Sequence, residues 1–148
     1  MSTRSRIGYT LKDGSIVSQY CHYDGYSEFN GRILNEFFTT ASAVRELIDQ
    51  GDLSSLYTNK GWNGEDWAYY QPLPYTLRGE NIKDVSPEYS SNLEEFLQLT
   101  DDCCGEYAYT FKNGKWTCYK VGDSYSDDGP KNGDEVAIPA GSVFDKES

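Results

Sequence analysis

The sequence predicts an α+β fold in which β-hairpins from both ends of the chain build an antiparallel sheet and short helices pack on one of its faces. Three observations predict it. Asp13-Gly14 near the N-terminus and Asn113-Gly114 near the C-terminus each sit between alternating apolar residues, the pattern of a two-residue hairpin turn. Between these hairpins, apolar residues recur every three or four positions, the spacing of one helix face. The hydrophobic share is only 37%, yet 13 Tyr, 6 Phe and 3 Trp raise the aromatic share to 15%, so rings rather than aliphatic side chains supply much of one core.

The first hairpin spans residues 4–23. Ile7, Tyr9 and Leu11 alternate before the turn and Ile16 and Tyr20 after it; a type I′ loop at Asp13-Gly14 would set Leu11 opposite Ile16 and Ile7 opposite Tyr20. The second hairpin spans 106–121, with Phe111 opposite Trp116, Tyr109 opposite Cys118 and Thr110 opposite Thr117. Tyr9 to Gly14 and Tyr109 to Gly114 share a local pattern, which good hairpin chemistry explains without an internal repeat.

Phe29, Ile33, Leu34, Phe37 and Phe38 place an amphipathic helix over 28–38, with Arg32, Asn35 and Glu36 outward. Thr39 or Thr40 can cap the next helix, which runs through Val44, Leu47 and Ile48 to Gly51. A third begins at Ser91, where Ser91-Asn92-Leu93-Glu94 is a capping box and Leu93, Phe96 and Leu97 form the buried stripe.

Residues 57–90 differ in kind, because Trp62, Trp67, Tyr69, Tyr70 and Tyr75 are interleaved with glycines and prolines. A long helix is excluded, and the aromatics argue against disorder, leaving an irregular lid or a short strand around Trp67 to Tyr70. The domain reading is therefore a single α+β domain over 1–121, with 57–90 its irregular aromatic-rich segment, followed by an acidic C-terminal extension over 122–148. Val136-Ala137-Ile138 in that extension is a candidate edge strand, ended by Pro139.

Charge bounds the function. The chain carries 24 acidic and 13 basic residues, a net −11 at pH 7, and such a surface repels phosphate backbones and anionic headgroups. Direct nucleic-acid and membrane binding are disfavoured, and a basic partner is favoured. No stretch approaches the roughly 18 apolar residues of a membrane span, and no signal-peptide core follows Met1; the expectation is a soluble cytoplasmic protein. Cys21, Cys103, Cys104 and Cys118 have no framework spacing and read as free thiols.

The densest candidate cluster is Tyr20-Cys21-His22-Tyr23-Asp24-Gly25-Tyr26, which holds the only histidine. On a strand, Tyr20, His22 and Asp24 share one face while Cys21 and Tyr23 take the other, so Cys21 and His22 do not form a nucleophilic pair. The expected arrangement is a strand-end His22 hydrogen-bonded to Asp24, with the tyrosines packed on the first helix; an oriented base built from the same pair is the enzymatic alternative. No cofactor or metal is expected. One histidine and a vicinal Cys103-Cys104 give no zinc spacing, and phosphate-cradling glycine motifs are absent. Asp123-Ser124-Tyr125-Ser126-Asp127-Asp128-Gly129 resembles the start of a calcium loop, but Asp134 at the twelfth position lies in a Pro-Gly-broken stretch that opens no helix, so the segment reads as a solvated acidic loop. If Met1 is removed, Ser2 would present an α-amine beside a hydroxyl, with Arg4 placed to bind a substrate carboxylate. The aromatic segment from Trp62 to Tyr75, with Trp67, Tyr69 and Tyr70 and with Arg78, could instead line a small-ligand pocket for nucleotides or similar signals.

Met1-Ser2-Thr3-Arg4-Ser5, the run Tyr20-x-His22-Tyr23-Asp24-Gly25-Tyr26, Gly31 and Leu34, Gly51-Asp52-Leu53-Ser54-Ser55-Leu56, Leu93-Glu94-Glu95-Phe96 and Gly114-Lys115-Trp116 together resemble a family of small bacteriophage and prophage proteins. Members usually have Trp where Tyr23 stands and Pro where Ser27 stands, and the tail past Val121 looks like an addition. The resemblance implies a phage accessory protein made in the host cytoplasm and carries over no catalytic residue. Together with the charge, it leads to the expectation of a non-enzymatic acidic binder of a host or defence protein with a basic surface, in the manner of a nucleic-acid mimic. A nucleotide sponge, and a hydrolase using Ser2 or His22 and Asp24, are the alternatives.

Overall fold

The computed structural model describes residues 3–122 and 133–144. In chain order the elements are β1 (Ser5–Thr10), β2 (Ile16–Cys21), α1 (Arg32–Phe37), α2 (Ala41–Asp49), β3 (Leu53–Lys60), β4 (Asp66–Pro74), β5 (Glu88–Ser90), α3 (Leu93–Asp102), β6 (Tyr107–Lys112), β7 (Lys115–Lys120) and β8 (Asp134–Val136). The fold is α+β, with one sheet ordered β4-β3-β2-β1-β6-β7-β8. Pairing is mostly antiparallel, but the two terminal hairpins join through a parallel β1–β6 ladder running from Ser5 opposite Tyr107 to Tyr9 opposite Phe111. The outer edge of β2 is divided: β3 meets it at Cys21, and β5 pairs with Ile16 to Ser18.

The second hairpin has the register read from the sequence, with Tyr109 opposite Cys118, Thr110 opposite Thr117 and Phe111 opposite Trp116. Asn113 and Gly114 take φ of 52° and 78°, the left-handed pair that a type I′ turn requires. The first hairpin differs by one residue. Its loop is Lys12-Asp13-Gly14, closed by Leu11 N–H to Ser15 O at 2.8 Å, so Thr10 faces Ile16 and Ile7 faces Gln19. The cause is local: Asp13 Oδ1 accepts from Ser15 N–H at 3.0 Å and Ser15 Oγ at 2.5 Å, while Gly14 alone takes positive φ. Lys115, the counterpart of Ser15, has no hydroxyl to offer. The shift pairs Tyr20 with Arg6 instead of Ile7, and this placement builds the site described below.

Alternate residues of a strand face opposite ways, and β6 separates two cores. Tyr109 and Phe111 join Ile7, Ile33, Leu34, Val44 and Leu47 in the larger cluster under α1 and α2. Ala108 joins Ile16, Phe96 and Val121 in a smaller one under α3. Helices therefore lie on both faces, α1 and α2 over the larger core and α3 over the smaller, where the sequence reading expected them on one. Gln19 ties the first face to α2, its Nε2 donating to Leu47 O at 2.9 Å and Gly51 O at 2.6 Å. Tyr109 Oη donates to Gly25 O at 2.6 Å and Trp116 Nε1 to Phe38 O at 2.8 Å.

Thr40 caps α2 as expected, its Oγ1 accepting from Ala43 N–H at 3.2 Å. For α3 the cap is Asn92, not Ser91: Asn92 Oδ1 accepts from Glu95 N–H at 2.9 Å. The helix starts one residue later than the capping box implies, so Phe96 and Thr100 form its buried stripe and Leu93 is exposed. Phe37, expected in the buried stripe of α1, is likewise exposed.

The segment read as irregular contains a hairpin. β3 and β4 pair antiparallel with three register shifts, around a loop of the first hairpin's kind: Gly61 N–H donates to Glu65 O at 3.0 Å and Gly64 has φ 81°. Trp67 to Tyr70 lie within β4. Short 3₁₀ turns at Tyr75–Arg78 and Ile82–Asp84 complete the path to β5. β8 adds to β7 at the far edge, ending at Val136 where the sequence reading begins its strand. Ile138 and Val143 pack on the larger core. Ser2 and the Asp123–Gly129 run lie outside the described residues.

Candidate functional site

The half of the second face left open by α3 holds the polar side chains. Arg6 is 4% exposed, held by Nε donating to Ser18 Oγ at 3.0 Å and Nη2 to Ser18 O at 3.1 Å, with Glu88 Oε2 3.7 Å away. It floors a cavity of about 390 Å³ walled by Tyr20, Asp52, Glu88, Leu99, Asp102 and Cys103. Asp52 Oδ1 accepts from Tyr20 N–H at 2.9 Å; burial raises its carboxyl pKa, and that bond and the charge of Arg6 only partly offset the cost. Burial also raises the Cys103 thiol against the pull of Arg6.

Glu88, Leu99 and Asp102 are shared with a second hollow, of about 500 Å³, between β5 and α3, whose rim adds Tyr89, Glu95 and Gln98. The α3 segment carries Glu94, Glu95, Asp101 and Asp102 and no Lys or Arg. Glu94 and Glu95 occupy the first turn, where the helix dipole favours a negative charge. Asp101 and Asp102 sit at the opposite end, where it disfavours one. No cation pairs with either among the described residues, and Asp102 Oδ1 accepts only a neutral bond, from Gln98 Nε2 at 2.9 Å. This groove was missed in the sequence because its walls come from a three-residue strand and a helix that reads as ordinary; the misplaced acids at the end of α3 were the available signal.

The His22 cluster lies at the end of β2 on the same face. Tyr20 Oη and His22 Nδ1 are 2.6 Å apart, and the Tyr23 ring meets His22 edge-on at 4.6 Å between centroids. Asp24 does not bond His22, correcting the expectation. Its backbone turns to φ 58°, and its Oδ1 takes a long 3.5 Å contact from Tyr26 Oη, while Tyr26 also packs near Phe29. Burial, reinforced by the charge of Arg4, lowers the pKa of His22, which keeps the imidazole neutral at pH 7. The buried Arg4 Nε has no hydrogen-bond partner. Cys21 faces the other core as expected, with its thiol pushed up to about 12 by burial.

The aromatic candidates divide into separate places. Trp62 stacks on Tyr75 at 5.6 Å and 26°, and the Arg78 guanidinium lies 4.9 Å from both ring centroids, paired with Glu80 at 2.8 Å. Burial raises the Tyr75 phenol pKa, and the charge of Arg78 opposes the rise. Tyr70 belongs elsewhere, in a ladder in which Tyr57 stacks on Phe37 at 4.8 Å and on Tyr70 at 5.4 Å, with Phe144 against both tyrosines. Tyr69 is 76% exposed on the outer strand, and Trp67 is half-buried.

The thiols of Cys21 and Cys118 are both pushed up to about 12, far from the thiolate needed for attack. Among the described residues, no group of three or more His, Cys, Asp and Glu could hold a metal ion, and no helix is long and apolar enough to cross a membrane. Comparison with protein-family models, with curated proteins and with solved structures finds no match for this chain.

Proposed function

We propose that the protein is a non-enzymatic binder whose acidic groove between β5 and α3 receives a basic surface of another protein. The observation that carries this reading is the placement of Asp102 in the groove at the C-terminal end of α3, with no cation paired to it among the described residues. Charge set against a helix's own dipole costs stability, and such a cost is common where function needs it. With Glu88 and Glu95, Asp102 forms a row of negative charge on a chain of net −11, suited to steer and hold a basic partner. The row would stand where the phosphates of a nucleic acid otherwise meet that partner. The resemblance to small phage proteins extends the proposal: the partner is then a host or defence protein, met in the cytoplasm of the infected cell.

The test compares affinity capture from bacterial lysate at low salt by the wild type, by Glu95→Lys/Asp102→Lys, and by Glu36→Lys/Glu46→Lys on the opposite face. A basic protein held by the wild type and by the second variant but released by the first supports the reading. Equal retention by all three, or recovery of no basic protein, refutes it.

A further inference from the structure

We propose that the hollow between the start of α2 and the tip of the β6–β7 hairpin binds a small dianion of the phosphate monoester class, held by Arg45 and Lys112. It shares no residue with the acidic groove between β5 and α3.

Topology brings its walls together. Because β1 and β6 run parallel, their hairpins turn at the same end of the sheet, Lys12-Asp13-Gly14 on one and Asn113-Gly114 on the other. Tyr9 stands opposite Phe111 in that ladder, and both pack in the core under α1 and α2. From α2 the Arg45 guanidinium lies over the Tyr9 ring, 5.3 Å from its centre. A cavity of about 290 Å³ results, with Tyr9, Phe111 and Arg45 joined by Thr39 on the α2 side and by Lys112 and Asn113 on the hairpin side.

The charge of this hollow is opposite to that of the chain. Acids outnumber bases by 24 to 13, yet no acid lines it and two cations do. Neither Arg45 nor Lys112 forms an ion pair among the described residues. Asp13, the acid of the neighbouring loop, is engaged by Ser15. Two unpaired cations bordering one volume repel each other, and a dianion between them satisfies both. Arg45 is ordered in advance by its cation–π contact with Tyr9, which occupies the face of the guanidinium and leaves its N–H edge for bidentate bonds to phosphate. Lys112 adds a flexible point charge at the rim. The rings offer an apolar wall to a short organic group, and a volume at the low end for ligand pockets sets the ligand's size. A long polyanion would meet the net −11 beyond the hollow.

Calorimetric titration of the full chain at low salt and pH 8, where a phosphate ester is dianionic, provides the test. Phenyl phosphate should bind saturably at one site, more tightly than inorganic phosphate and than the monoanion phenylacetate. Arg45→Gln and Lys112→Gln should each weaken phenyl phosphate by about tenfold, the scale of one lost charge-assisted hydrogen bond. Lys115→Gln, in the same turn but outside the lining, should bind like the wild type. All three positions are exposed, so an unchanged urea midpoint shows that each variant is folded. No binding of phenyl phosphate at millimolar concentration, an unchanged affinity in folded Arg45→Gln, an equal loss in Lys115→Gln, or phenylacetate binding as tightly as phenyl phosphate would each overturn the proposal. Glu95→Lys/Asp102→Lys should bind phenyl phosphate like the wild type, so this site and the acidic groove fail separately.

Discussion

Neutralising the C-terminal acids of α3 should make the protein more stable. Asp101→Asn/Asp102→Asn removes two charges from the last turn while keeping the side-chain shape and the acceptor that Gln98 Nε2 uses. A misplaced charge at a helix end is worth about 0.3–1 kcal/mol at low ionic strength, so the pair should return about 0.6–2 kcal/mol. The gain reaches the whole fold because α3 is not a free appendage: Phe96 and Thr100 are fully buried in the second core. Urea unfolding at low salt should show a higher midpoint at unchanged slope, and thermal unfolding a rise of a few degrees. In 1 M salt, where charges are screened beyond about 3 Å, most of the gain should vanish. Loss of stability would mean that the two aspartates serve the fold, and a gain indifferent to salt would mean that their cost is not electrostatic; either result would bring down the case for a groove kept acidic at the helix's expense.

Three further outcomes are expected. Tyr109→Phe removes the 2.6 Å bond to Gly25 O and leaves that carbonyl buried, so urea unfolding should show a loss of about 1–3 kcal/mol; a change near zero would place water on Gly25. Asp52 has a folded pKa above its ordinary 3.8, so it adds stability below that pH and loses it as pH rises through the folded value. Asp52→Asn, which keeps the acceptor for Tyr20 N–H, should therefore be the more stable form at pH 7, with the gap closing below pH 3.8; a pH-independent gap contradicts this. A thiol reagent at pH 8 should label exposed Cys104 first and half-buried Cys103 more slowly, reaching Cys21 and Cys118 only on unfolding, as timed mass spectrometry would read.

Local chemistry made some elements legible and not others. The β6–β7 register follows from two residues that accept left-handed backbone, Asn113 and Gly114, with nothing nearby to compete. At Asp13-Gly14 the Ser15 hydroxyl and amide draw the Asp13 carboxylate into a longer loop, and a competition of that kind is invisible to a dipeptide rule. Ser91 and Asn92 are both good caps with a glutamate three residues on, so composition alone could not choose between them. β3 lacks alternation because bulges break its pairing: Leu53 and Leu56 are buried three positions apart. The candidate sites were legible only in fragments. His22 with Tyr20, and Trp62 to Tyr75 with Arg78, were each visible, whereas the hollow between β5 and α3 enters only through tertiary contacts.

The parallel β1–β6 ladder has a consequence for biogenesis. Its two strands lie about as far apart along the polypeptide as any in the sheet, so β1 leaves the ribosome long before the strand it must lie beside. The β1–β2 and β3–β4 hairpins can close early from local contacts, but the middle of the sheet waits for nearly the whole chain, and such distant pairing slows folding. Until β6 arrives, the Ser5–Tyr9 edge stands open, a vulnerable interval in which synthesis rate and chaperones would decide between the native sheet and aggregation.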